Sequence, residues 1–109
     1  MRIIDFYKVK EVYGPIVNTI LTLKKDNRIN DLHKYVNGMN DFQYGFTLAL
    51  YYVGMLGIEE GSSKEEYLRL SLDNLKGINR EFCKFFEARY EVLEENLNRG
   101  LIIFSENNY

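Results

Sequence analysis

The stretch that decides the fold is Asn40-Asp41-Phe42-Gln43-Tyr44-Gly45-Phe46-Thr47-Leu48-Ala49-Leu50-Tyr51-Tyr52-Val53-Gly54-Met55-Leu56. Asn40 or Asp41 can cap a helix whose apolar residues, from Phe42 to Leu56, fall on every face. A helix apolar all round must be surrounded by other elements, so the rest of the chain has to cover it. The longest apolar run, Phe46 to Ile58, is about thirteen residues with Thr47 and two glycines inside it, against about twenty needed to span a bilayer. It reads as a central core helix. Gly45 and Ala49, four apart, would let one neighbouring helix come close, although a helical glycine costs about 1 kcal/mol relative to alanine.

On the N-terminal side, Ile16, Ile20 and Leu23, with Val17 and Leu21 beside them, repeat at helical spacing until Lys24-Lys25-Asp26-Asn27 ends the pattern. The cationic last turn suits the helix dipole. Gly14-Pro15 predicts a break, with one helix before the proline and one after. Asn30 can cap a short helix through Leu32, Tyr35 and Val36 that stops at a left-handed Gly38. On the C-terminal side, Ser63-Lys64-Glu65-Glu66 forms a capping box before Tyr67, Leu68, Leu72 and Leu75. Asn79 is expected to cap one last long helix carrying Phe82, Phe86, Tyr90, Leu93 and Leu97, with Gly100 as a Schellman ending. Leu101-Ile102-Ile103-Phe104 then follows as an extended apolar tail. The expected fold is all-α: a single helical domain over residues 1–109, built as a bundle of about five or six helices around the central apolar one, with the last two long helices antiparallel over it.

Composition agrees with one globular core, since 46% of the 109 residues are apolar and 28% charged. A net charge of −2 argues against affinity drawn from neutralising many phosphates, so nucleic acid is an unlikely partner. Met1 to Lys8 is charged from its start and carries no signal-peptide core, and no segment reads as membrane-spanning. Cys83 is the only cysteine, which rules out an intramolecular disulfide and a thiolate zinc cluster; a reducing cytoplasm fits best.

The chemistry-bearing residues are sparse. His33 is the only histidine, and Asp31, two residues earlier, would leave a helix from another face. Cys83 lies next to the Phe82/Phe86 stripe, where a thiol packs as a small hydrophobe. Asp26-Asn27-Arg28-Ile29-Asn30-Asp31 superficially matches a calcium loop, but Arg28 takes the third ligand position and the sixth is not glycine. No phosphate-binding glycine loop and no His-Glu-x-x-His occurs. No catalytic, cofactor or metal site is assigned, and no enzyme is expected. One alternative is a small nucleic-acid-binding protein using Lys8, Lys10, Lys24, Lys25 and Arg28, with the helix before Gly38 in a helix-turn-helix. Another is a ligand-binding bundle or enzyme built on Asp31, His33 and tyrosine hydroxyls.

Charge is unevenly divided: residues 1–54 carry net +2 and residues 55–109 net −4. Glu87, Glu91 and Glu95 stand four residues apart on the expected last helix, with Glu94 beside them, where they repel one another and oppose the C-terminal dipole. An acidic strip of this kind suits a basic partner. Nine tyrosines and no tryptophan add a second interface signal, with Tyr90 and Tyr67 as candidate anchors. In size, acidity, helix content and lack of catalytic motifs, the chain resembles the small cytoplasmic immunity proteins of bacterial toxin systems, of the colicin and contact-dependent growth inhibition kinds. The resemblance is of class and rests on no residue motif. It implies a cognate basic toxin domain of nuclease type as partner, inhibited by covering its active site, with Glu87, Glu91, Glu94, Glu95, Tyr90 and Tyr67 as the contact residues to test. Homo-oligomerisation through the apolar tail stays open.

Overall fold

The computed structural model describes residues 8–57, 63–74, 80 and 83–105. Among them are six helices and no strand: α1 (Val9–Lys25), α2 (Ile29–Asn37), α3 (Asp41–Leu56), α4 (Lys64–Asn74), α5 (Lys84–Glu87) and α6 (Tyr90–Ser105). The all-α bundle expected from the pattern is what forms.

Helix α3 is the centre. Asn40 accepts from the Gln43 amide at 2.8 Å and Gln43 reaches back to the Asn40 amide at 3.1 Å, a complete capping box. Residues 44 to 51, together with Val53 and Gly54, are buried, and Gly57 ends the helix at a φ of 76°, a conformation only glycine adopts without strain. Helix α6 runs antiparallel to α3 and is its most extensive neighbour. Gly54 meets Asn96, Leu50 meets Gly100 and Phe46 meets Phe104, so each turn back along α3 matches a turn forward along α6. The close approach is made by Gly54 and Gly100: a Cβ on either would overlap a backbone carbonyl of the facing helix, that of Asn96 or of Leu50. Helix α4 also packs on α3, and α1 packs on α6.

Three local expectations are corrected along α1 and α2. Helix α1 passes through Pro15 without a break. Proline removes one backbone donor and disfavours the helical region for the residue before it, but that residue is Gly14, which has no Cβ to clash. The buried row Val9, Tyr13, Val17 and Ile20 then holds both halves against the core. Helix α1 ends in a Schellman turn at Asn27 (φ 57°), with Asn27 N–H donating to Lys24 and Arg28 N–H to Leu23. Helix α2 starts at Ile29 rather than after Asn30, and Gly38 follows it in a right-handed conformation (φ −79°) because Gly38 and Met39 continue turn-type bonds to Lys34 and Val36.

The largest correction concerns the last helix. Ala88 is extended (ψ 141°), which separates α5 from α6 and breaks the expected continuous stripe between Phe86 and Tyr90. At the other end α6 continues through Gly100 to Ser105, so Leu101 to Phe104 is helical, with Phe104 fully buried, and no extended tail exists there. Ser63 accepts from the Glu66 amide at 3.1 Å as the capping box requires. The expected cap at Asn79, Phe82 of the stripe and Leu75 of α4 lie outside the described residues.

Basic side chains close the helix C-termini, where backbone carbonyls lack intrahelical donors. Arg80 donates to Val36 (2.9 Å) and Asn37 (3.4 Å) of α2 and to Met39 (2.6 Å), pairs with Asp41 at 2.8 Å and lies over the Tyr44 ring. Arg99 donates to Gly54 of α3, Lys24 to Phe86 of α5 and Lys64 to Phe104 of α6. Burial beside Phe86 pulls the Lys24 ammonium below the ordinary lysine range.

Candidate functional site

The break at Ala88 rearranges the acidic residues. Glu87 sits on α5, 3.9 Å from Lys84, while Glu91, Glu94 and Glu95 belong to the first half of α6. Glu91 therefore lies in the first turn of α6, where free N–H groups favour a carboxylate. The expectation that these acids oppose a helix C-terminus is reversed for Glu91. The three also divide between two faces. Glu91 and Glu95 are exposed on the outer side, with exposed Val92 one turn before Glu95 and Ile102 two turns beyond it; Glu95 pairs with Arg99 at 2.6 Å, and Glu91 has no ion-pair partner among the described residues. Glu94 lies on the side toward α1, where its Oε2 accepts the Tyr90 hydroxyl at 2.7 Å. That hydrogen bond to a carboxylate raises the Tyr90 hydroxyl above the ordinary tyrosine value. Tyr67 is half-buried on α4, packed against the core.

Between α1 and α6 runs a cleft of about 310 Å³. Val17 and Leu21 form its floor; Asn18, Thr22 and Lys25 line it from α1, and Tyr90, Glu94 and Asn98 from α6. Nothing in the sequence connects α1 to this place. Helical spacing marks Asn18, Thr22 and Asn98 only as polar positions, and their convergence depends on long-range packing.

The remaining sequence candidates are explained by contacts. The His33 ring stacks on Phe86 at 3.7 Å between centroids, and Asp31 pairs with Arg28 at 2.8 Å. Cys83 is buried beside Tyr44, and burial raises its thiol above the usual range. The Tyr44 hydroxyl, itself buried, makes no hydrogen bond of ordinary geometry; the nearby Cys83 thiol is a weak partner. Helix α3, which would follow α2 in a helix-turn-helix, is enclosed by its neighbours and offers no face for a groove. Among the described residues no three His, Cys, Asp or Glu side chains gather at metal-binding distance, and no helix is long and apolar enough to cross a membrane. Comparison with known protein families, with characterised proteins and with solved structures returned no match, so the chemistry of these surfaces carries the functional argument.

Proposed function

We propose that the protein is a binding module that uses the outer face of α6 to hold a basic protein and thereby inhibits it, in the manner of the small immunity proteins that neutralise bacterial toxins. The observation that carries this reading is the meeting of carboxylates with exposed aliphatics on the outer side of α6: Glu91 and Glu95 in line with Ile102, and Val92 one turn before Glu95. Arg99 pairs with Glu95 and also donates to the Gly54 carbonyl, which leaves Glu91 as the carboxylate of this face with no ion-pair partner among the described residues. A carboxylate row steers a cationic partner during encounter, and the aliphatic side chains supply the area desolvated on docking. A nuclease-type toxin domain presents a cationic surface because its substrate is a polyanion, and covering that surface blocks the substrate. Such a partnership belongs in the cytoplasm, where the buried Cys83 thiol stays reduced.

The test begins with affinity capture of the tagged chain from its own cells at low and high salt. It proceeds to association kinetics of the purified pair. One basic protein retained at low salt, whose association slows about tenfold on Glu91→Lys, supports the reading. Retention of nucleic acid alone, or association indifferent to both Glu91→Lys and Glu95→Lys, overturns it.

A further inference from the structure

The cleft between α1 and α6 holds two charges that do not neutralise each other. Lys25, in the last turn of α1, forms no ion pair among the described residues and lies 5.9 Å from the Tyr90 ring centroid. Glu94 has one carboxylate oxygen engaged by the Tyr90 hydroxyl and the other unengaged. Further along, the carboxamides of Asn18 and Asn98 and the hydroxyl of Thr22 have no hydrogen-bond partner among the described residues. The Thr22 hydroxyl contrasts with those of Thr19 and Thr47, which donate to carbonyls four residues earlier at 2.9 and 2.7 Å. The volume lies at the small end of the range of about 300–1,000 Å³ for ligand clefts, and Val17 and Leu21 give it an apolar base.

We infer that this cleft binds a small zwitterion of the amino-acid class, its carboxylate at Lys25, its ammonium at Glu94, and a carboxamide-bearing side chain between Asn18 and Asn98. A lone anion is disfavoured by Glu94 and a lone cation by Lys25, because a half-enclosed groove screens charge less than bulk water does. A molecule that carries both signs satisfies both residues at once. Each asparagine offers two donors and an acceptor, which another carboxamide matches in either orientation. Glu91 and Glu95 lie on the outer face, so this ligand and a protein docked there are separate events.

L-Glutamine is the probe, titrated into the full chain and followed by proton–nitrogen correlation spectra. Saturable shifts are expected at the Asn18 and Asn98 side-chain amides and at Lys25 and Glu94, with a dissociation constant on the order of millimolar for a ligand of about ten heavy atoms. N-acetyl-L-glutamine, which lacks the ammonium, and L-glutaminamide, which lacks the carboxylate, are expected to bind about tenfold more weakly or worse. Lys25→Met and Glu94→Gln each weaken L-glutamine about fivefold. No saturable shift in the cleft up to about 50 mM overturns the site. Equal affinity for the blocked derivatives overturns it as well, and that comparison needs no variant.

Discussion

Helix α6 meets two neighbours along its length, and it meets them in opposite ways. Toward α3 its four-residue steps read Asn96, Gly100 and Phe104, and the backbones come together so closely that no side chain fits between Gly54 and Asn96 or between Gly100 and Leu50. Toward α1 the steps read Tyr90, Glu94 and Asn98, whose bulk and polarity hold the helices apart and leave a cleft. The residue at each turn thus decides whether a seam becomes core or site. The tight seam excludes water and gains dispersion contacts; the open one keeps polar groups that the fold itself does not use.

Adding a methyl group to each seam tests this directly. Glycine to alanine inside a helix ordinarily stabilises by about 1 kcal/mol. At Gly100 or Gly54 the sign reverses, because the new Cβ overlaps a backbone carbonyl that cannot rotate away. Gly100→Ala and Gly54→Ala should each cost about 3 kcal/mol, the upper end of overpacking, read as a lower urea midpoint. Gly14→Ala lies along the open seam, where an added Cβ meets nothing within 4 Å beyond its chain neighbours, so its cost is confined to the local clash with Pro15 and should stay below that at Gly100 or Gly54. Equal costs at all three positions would break the comparison.

Alkaline titration reads the burial of the phenols on the core side of α1 and α3. Tyr13 of α1 stacks on Phe46 of α3 at 4.2 Å, and burial raises its hydroxyl to about 12. The neutral form is favoured in the fold, so the stabilisation is whole below pH 10 and is lost as pH rises from about 10 to 12, at up to about 1.4 kcal/mol per unit. Tyr44 is raised as well, chiefly by burial, and adds to the fall. Tyr13→Phe should flatten the decline of unfolding free energy between pH 9 and about 11.5 by roughly 2 kcal/mol. An unchanged decline would mean that the Tyr13 hydroxyl is hydrated in the fold.

What the amino-acid pattern reveals and what it hides follow from the range of the forces involved. Helix α3 is legible because apolar residues on every face leave one solution, and its capping box is a local affair of Asn40 and Gln43. The break at Ala88-Arg89 is not, since neither residue disfavours a helix. What accompanies the break is distant contact at Phe86, whose carbonyl accepts from Lys24 and whose ring takes His33. Gly100 misleads because glycine most often ends helices, whereas here it admits the Leu50 carbonyl. The roles of Arg80, Arg99, Lys24 and Lys64 are hidden because each donates to a backbone carbonyl, which leaves no trace in side-chain identity. Of the cleft, Glu94, Tyr90 and Lys25 are legible as an acid, an aromatic and a cation; Asn18, Thr22 and Asn98, and the convergence of the two helices, are not.

A smaller effect tests α1 on its own. Pro15 withholds a donor from the carbonyl of Glu11 in the middle of a continuous helix, a defect of about 3 kcal/mol in an unconstrained helix, offset by about 1 kcal/mol through the stiffer unfolded chain. Pro15→Ala should therefore stabilise the protein by about 1–2 kcal/mol. A loss instead would show that the proline shapes α1 so that the open seam stays open, and the cleft residues should then shift in the spectra of the variant.

The smallest expected change is at Glu91, which belongs to neither seam. Its carboxylate stands in the first turn of α6, next to N–H groups without helical acceptors, and no cation among the described residues pairs with it. Glu91→Lys replaces a favourable charge by an unfavourable one at an exposed helix N-terminus and should cost about 0.5 kcal/mol, screened by added salt. Glu91→Gln, which only removes the charge, should cost about half as much. Because so little of the fold depends on this side chain, a tenfold slower association with a basic partner in Glu91→Lys cannot be charged to unfolding. A stability loss above about 1 kcal/mol would place Glu91 among the residues that hold α6 in position, and the outer face would then lose its freest carboxylate as a docking contact.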